Sequence, residues 1–222
     1  MVDMSKPRKR RANGEESRRK ILDAAEVVAS ERGYDGTSIA LVSKKSGLPA
    51  SSIYWHFKDK DDLVAAVIER SFGTWLAAVA IPDGDDPREQ VSEMSMRIVK
   101  SLLDTPHFLR LGLMLALERR PEELRARTAF LEVRDRAFEQ ISTTLRDFMP
   151  GLDDGSVRLL TTYAISAADG LFIAREIGGD SVDLVALFDL HARVVYDAAA
   201  RLKAEVRTRN SDSDTETEIS TS

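Results

Sequence analysis

The sequence of 222 residues contains no cysteine. Without that residue the chain can form no disulfide, no thiolate zinc site and no cysteine nucleophile. It also has no run of about 18 apolar residues, the length that a helix needs to span a membrane. The basic N-terminal cluster is not followed by the apolar segment of a secretory signal. These absences predict a cytoplasmic protein with no membrane partner.

Patterns that are typical of enzymes are missing as well. The sequence has no glycine-rich phosphate loop and no Ser-His-Asp arrangement of familiar spacing. Its three histidines, His56, His107 and His191, lie far apart, and the acidic segment 83–86 stands between two prolines, as a solvated loop would. We therefore predict no catalytic residue, no metal site and no cofactor.

Charge is unevenly distributed along the chain, although the formal net charge is only -5. Residues 1–62 hold 13 Lys and Arg against 10 Asp and Glu, whereas the remainder is acidic. Within residues 1–20 the counts are eight basic and three acidic. A basic end on an acidic body suits a protein that meets nucleic acid through that end. An acidic body that only keeps the chain soluble explains the same distribution equally well.

Helical periodicity dominates most of the chain. Apolar residues recur at three- and four-residue spacing, and no window alternates as strands between hairpin turns do, so the predicted fold is all-α. Gly33 is expected to end the first helix, Thr37 or Ser38 to cap a second, and Gly47 to end it. Pro49 is well placed to open a third short helix. Longer helices are predicted at about 61–79, 87–104, 107–119, 121–148, 154–177 and 181–206.

Four segments follow from this pattern. Residues 1–15 are polar and basic and are predicted to form a flexible arm. Residues 16–62 form a three-helix head, and residues 63–206 form a larger helical domain. Residues 207–222 are polar and mostly acidic, so a disordered tail is expected there.

The third helix carries an unusual outer face. Ile53 and Phe57 lie four residues apart and account for its buried side, which leaves hydroxyl, aromatic and histidine side chains facing outward. Small residues allow DNA to approach closely, and Ser, Tyr and His can bind phosphates or base edges. Three short helices with a glycine between the second and third are typical of a helix-turn-helix.

The stretch Gly47 to Lys60, GLPASSIYWHFKDK, resembles the recognition helix and the following turn of the TetR family of transcriptional regulators. The segments 21–25 (ILDAA), 31–34 (ERGY) and 37–38 (TS) extend the similarity over about residues 17–65. The resemblance implies a partner, double-stranded operator DNA of pseudo-palindromic sequence, which a homodimer reads with two recognition helices.

The resemblance also implies DNA contacts along this motif. Serine hydroxyls are expected at the backbone or base edges, the tyrosine and histidine at phosphates, and the lysine at a flanking phosphate: Ser38, Ser51, Ser52, Tyr54, His56 and Lys60. Trp55 either contacts the groove or packs against the first helix. Ala50 stands where family members often have lysine or glutamine, and Ile39 where they often have arginine. Direct readout is therefore predicted to be sparse, with more of the specificity coming from DNA shape.

The basic arm is a second candidate DNA contact. Arg8, Lys9, Arg10 and Arg11 could lie in a minor groove next to the recognition site. Solvation alone is the alternative explanation for such a cluster.

For the larger domain, the resemblance implies an effector pocket and a dimer interface built from the last two helices. A Met- and Phe-rich set suits an adaptable apolar cavity, although ordinary core packing is the simpler explanation for each side chain taken singly. Asp169, within an apolar helix, has either a buried partner or a place in that cavity. The predicted ligand-binding residues are Met94, Ile98, Phe108, Leu111, Met114, Phe138, Tyr163, Asp169 and Phe172.

The predicted function is a ligand-responsive transcriptional regulator, usually a repressor in the family that the chain resembles. An unknown, mainly apolar small molecule would move the fourth helix and change the separation of the two recognition helices. A DNA-binding protein without an effector is the alternative, because sequence alone does not separate pocket lining from core. Nothing in the sequence supports an enzyme.

Overall fold

The computed structural model describes residues 6–78, 84, 86–104, 106–119, 122 and 124–220. These residues contain α1 (Lys6–Gly36), α2 (Ile39–Ser46), α3 (Ala50–His56), α4 (Lys60–Ala78), α5 (Pro87–Asp104), α6 (Pro106–Leu117), α7 (Arg125–Phe148), α8 (Asp154–Gly178) and α9 (Leu184–Ser220). A 3-10 turn, Gly179–Ser181, precedes α9. No strand occurs within the described residues, and the predicted all-α fold is confirmed.

The helices belong to two compact units. The first unit comprises the chain up to residue 74 and residues 105–134, and the second comprises residues 75–104 and the chain from 135 onward. The predicted head, residues 16–62, lies within the first unit. That unit also includes α6, which packs against α1, so its limits differ from the predicted division after residue 62.

Local signals set the limits of the second helix where they were predicted. Ser38 is extended, with φ -142° and ψ 153°, and its hydroxyl accepts a hydrogen bond from the Leu41 N–H at 3.3 Å. At the other end Gly47 has a φ of 71°, a conformation that glycine adopts without strain, and its N–H donates to the Ser43 carbonyl. The interval before α3 is therefore short and well defined.

An apolar cluster joins the first four helices. Burial of these side chains is the main source of stability for a domain of this size. The cluster contains Ile21, Leu22, Ala24, Ala25, Val28, Val42, Ile53, Phe57, Leu63 and Val67. Ile53 and Phe57 face inward as predicted, which directs the remainder of α3 outward.

Two helix ends differ from the predictions. α1 begins at Lys6, so the predicted flexible arm is helical from that residue on, and residues 1–5 lie outside the described residues. Gly33, with φ 68° and ψ -176°, is not helical, so the regular helix is interrupted at the residue that was predicted to end it. α9 continues to Ser220, so the predicted disorder of the tail is not seen up to that residue. Extending an existing helix requires no new nucleus, and the Lys, Arg, Ala and Glu of the arm favour it.

The second unit has a core of its own, in which α8 and α9 pack together. Leu145, Met149, Leu160 and Ala199 form a buried cluster there. The hydroxyl of Ser95 on α5 donates to the Phe188 carbonyl on α9 at 2.9 Å. These contacts hold α5 and α8 against α9.

The stretch Asp154–Ser181 is apolar enough, by length and composition alone, to pass as a membrane-spanning helix. The most apolar window has a mean hydropathy of 1.3, and only 22% of it is buried inside the protein. α8 therefore presents a largely apolar surface that is not covered within a single chain.

Candidate nucleic-acid interface

The outward face of α3 carries most of the predicted DNA contacts. Pro49, with φ -64° and ψ 151°, precedes the helix, and Ser51 is exposed at its start. Tyr54 is 57% exposed and Trp55 is 75% exposed, although both are large side chains that are usually buried. Ala50 and Ser52 are half-buried on the flanks of this face. The helix thus presents hydroxyls and aromatic rings to solvent above a buried apolar side.

Trp55 contacts the first helix while most of its surface stays exposed. A Cβ added to Gly14 would meet two ring carbons of Trp55 at 3.6 and 3.7 Å. The ring of Trp55 also meets that of His56 edge-on, with 4.5 Å between centroids. The contact with α1 is one of the two predicted alternatives, and the exposed surface leaves the groove contact as a prediction.

His56 stands in an environment that disfavours the charged form of its ring. Burial lowers the pKa of His56 below the usual 6.5, and the charge of Arg18 lowers that pKa further. The Arg18 guanidinium lies 5.4 Å from the centroid of the Phe57 ring. Arg18 was not predicted from the sequence, since an arginine within the basic run 18–20 has no signal of its own until packing brings it beside α3.

Ser38 and Lys60 both have contacts inside the protein. The Ser38 hydroxyl caps α2, and the remainder of that side chain is half-buried. The Lys60 ammonium donates to the Tyr34 carbonyl at 3.2 Å and lies 4.2 Å from the centroid of the Tyr34 ring. Their contacts with DNA stay predictions. To bind a phosphate, Lys60 would have to keep its contacts with Tyr34 at the same time or give them up.

For residues 6–12 of the arm, the structure describes the backbone but not the side chains. Arg8, Lys9, Arg10 and Arg11 belong to the first turns of α1, and their side chains lie outside the described residues. Arg10 precedes Gly14, the residue beside Trp55, by one helical turn. The arm therefore continues from the part of α1 that contacts the recognition helix.

The nine predicted ligand-binding residues are divided between the two units. In the first unit Phe108 and Leu111 are buried, and Phe108 meets the ring of Phe130 at 6.0 Å. Met114 is exposed, with its terminal carbon near the surface of Gly33. Their place in one effector site stays a prediction.

In the second unit Phe172 is buried, whereas Met94, Ile98, Phe138 and Asp169 are half-buried. Tyr163 is exposed on α8, and its ring lies 6.2 Å from that of His191. Tyr163 thus lies on the apolar surface of α8, and its place in an effector site stays a prediction.

A groove of about 400 Å³ lies in the second unit. Residues of α5 and one residue of α9 line it: Glu93, Met96, Arg97, Val99, Lys100, Leu103, Asp104 and Val185. None of the nine predicted ligand-binding residues is among them. Among the described residues, no group of three His, Cys, Asp or Glu side chains is placed to hold a metal ion.

Comparison with known proteins agrees with this geometry. Residues 21–67 match the family described as bacterial regulatory proteins, tetR family. The transcriptional regulator AcrR of Shigella flexneri is 41% identical over 64 residues, which cover 29% of this chain and 30% of AcrR. A transcriptional repressor of Mycobacterium tuberculosis is 30% identical over 99 residues, which cover 45% of this chain and 38% of that protein. The chain thus aligns with about a third of the length of these relatives.

The fold extends the similarity beyond the head. The transcriptional regulator FadR of Bacillus subtilis, solved in complex with stearoyl-CoA, superposes with a TM-score of 0.65 at 22% identity. That superposition covers 79% of this chain and 96% of FadR. The family so indicated consists of transcriptional regulators, not enzymes. Residues 21–67, with α1 to α3, thus match the head of the tetR family of bacterial regulatory proteins, and together with the all-helical fold they support a TetR family transcriptional regulator.

Proposed function

We propose that this protein is a ligand-responsive transcriptional repressor that binds a pseudo-palindromic operator as a homodimer and is released by a mainly apolar small molecule. The observation that carries the proposal is the outward face of α3, with Ser51, Tyr54 and Trp55 exposed above buried Ile53 and Phe57. A helix with this division of faces can enter a major groove without disturbing its own core. The repressor that this chain resembles in Mycobacterium tuberculosis supports the direction of regulation.

Two apolar stripes support the dimer. On α8, Leu159, Tyr163, Ile173 and Ile177 recur on one face of the helix, and all four are exposed. On α9, Leu190 and Val194 follow each other by one turn and are exposed as well. Gly170 lies on the α8 stripe with nothing within 4 Å of an added Cβ, so a second helix could approach closely there. Exposed apolar area of this extent is usually covered by a partner.

Two observations support a mainly apolar effector. Phe108 and Phe172 are among the buried predicted residues, and apolar side chains of this kind accept apolar ligands. FadR, whose fold this chain shares, binds stearoyl-CoA, a molecule with a long apolar chain. We propose that the effector has a comparable apolar portion. A ligand can shift the protein toward release only if it binds the released state more tightly.

The test is selection of genomic DNA fragments by the full-length protein at near-physiological salt. We expect a pseudo-palindromic sequence to be enriched, with a dissociation constant that rises steeply with salt concentration. Tyr54→Ala should weaken binding to the enriched fragment. The matched control is Leu117→Ala, which alters a comparably exposed side chain on α6.

Enrichment of no sequence, together with a steep salt dependence, would contradict the operator and favour a DNA-binding protein without sequence preference. If an operator is found, adding stearoyl-CoA to the complex tests the effector class. Release by stearoyl-CoA but not by free coenzyme A supports an apolar effector, and equal release by both contradicts it.

A further inference from the structure

Asp61, in the first turn of α4, accepts three hydrogen bonds from two other helices. One carboxylate oxygen accepts from the Arg125 N–H at 2.6 Å, and the other accepts from the Ala126 N–H at 3.1 Å. The Tyr34 hydroxyl donates to the same carboxylate at 3.0 Å. The first N–H groups of a helix have no partner within that helix. Asp61 therefore caps α7 from a position 64 residues earlier in the chain.

The two acidic neighbours of Asp61 have different partners. Asp59 accepts from the Asp62 N–H at 2.9 Å and so caps α4 itself. Asp62 accepts from the Lys58 N–H at 2.9 Å and pairs with the Arg125 guanidinium. The turn of residues 57–59 is thereby fastened to α4, and α4 is fastened to the start of α7.

This turn lies directly behind the recognition helix. α3 ends at His56, and only three residues separate it from α4. Among them Phe57 is 3% exposed, and its N–H donates to the Ile53 carbonyl at 2.9 Å. The buried side chain of Phe57 and the consecutive hydrogen bonds of residues 58–62 thus connect α3 to the first turn of α7. α7 itself continues without a break to Phe148.

We propose that Asp61 is a positioning residue for DNA binding, and that its cap on α7 sets the position of the recognition helix. The inference rests on the proposed function, because only a protein that reads DNA needs α3 in a defined position. A ligand that displaces the start of α7 would weaken this cap and loosen α3. The negative charge of Asp61 suits the N-terminus of α7, where backbone N–H groups concentrate positive potential.

Two pairs of variants of the full-length protein isolate the contact. Asp61→Asn keeps the size of the side chain but removes its charge, and Glu69→Gln removes the same charge from an exposed residue of the same helix. Arg125→Pro removes the backbone N–H that donates a hydrogen bond to Asp61, and proline is tolerated at this first position of α7. Arg125→Ala loses the same guanidinium but keeps that N–H, so the difference between the two Arg125 variants reports the cap alone.

The first measurement is the ratio of affinities for the enriched genomic fragment and for an unrelated duplex of equal length. We expect Asp61→Asn and Arg125→Pro to lower this ratio about tenfold, which corresponds to about 1.4 kcal/mol. Glu69→Gln should leave it unchanged, and Arg125→Ala nearly so. A capping variant that lowers the free energy of unfolding while the ratio stays at the unmutated value would overturn the proposal, since the cap would then be only structural.

The second measurement is amide hydrogen exchange in free protein, which needs no operator. We expect both capping variants to exchange faster at residues 126–128 and also at residues 50–57. Faster exchange at residues 126–128 alone would overturn the proposal. If the unmutated protein enriches no fragment, the proposed function fails, and this exchange pattern still decides whether Asp61 positions α3.

Discussion

Gly112 on α6 is the glycine at which one added methyl group should destabilise the fold most. A Cβ added there would stand 2.0 Å from Cε2, 2.1 Å from Cδ2 and 2.7 Å from Cζ of Phe130. Phe130 is 1% exposed, and its ring also meets that of Phe108. The ring therefore cannot move aside without disturbing a second buried aromatic side chain. We predict that Gly112→Ala destabilises the protein.

The magnitude follows from two opposed effects. Alanine favours a helix over glycine by about 1 kcal/mol. Overpacking of a buried site costs about 1–3 kcal/mol, and a clash with a ring that has no room to move belongs at the upper end of that range. We expect a net loss of about 1–2 kcal/mol in the free energy of unfolding. The double variant Gly112→Ala with Phe130→Leu should lose less than the sum of its two single variants, because the smaller side chain leaves room for the new methyl group.

Urea denaturation at one fixed protein concentration measures the effect, since the proposed dimer would make apparent stability depend on concentration. Gly73→Ala is the matched control: Gly73 lies in α4, and a Cβ there meets nothing within 4 Å. That control should be as stable as the unmutated protein or more stable. A Gly112→Ala protein that gained stability in the same way would refute the close packing of α6 against Phe130.

Three further predictions concern charge and assembly. Burial lowers the pKa of His191 below 6.5, so the unfolded chain binds a proton at a higher pH than the folded protein does. The free energy of unfolding should therefore fall as pH decreases from about 6.5. His191→Gln should flatten that dependence in denaturation measured at several pH values. Arg18→Gln should raise the pKa of His56, as followed by NMR titration, because it removes a positive charge that lowers that pKa; an unchanged pKa would contradict this effect of Arg18. Ile173→Glu should give monomers in sedimentation analysis. The control Leu117→Glu, which changes an exposed residue outside the stripes of α8 and α9, should leave dimers. Dimers of both variants would place the interface elsewhere.

The limits of α2 and the division of α3 into two faces were determined by the sequence alone. Ser38 and Gly47 act on backbone groups within one helical turn, so residue type and position suffice to predict both ends of α2. Ile53 and Phe57 are four residues apart, a spacing that places both on one side of any α-helix. The family resemblance rests on this same local segment, which is why it was visible without a structure.

Only the tertiary structure decided which polar groups meet across the fold. Asp61 looked like one acid in a charged run, yet it caps α7 at a helix start 64 residues away. Lys60 looked available for a phosphate, yet it lies against the Tyr34 ring. Arg18 carried no pattern until α1 packed beside α3. Periodicity and capping act over a few residues of chain, whereas these contacts depend on how distant helices pack, which no local pattern specifies.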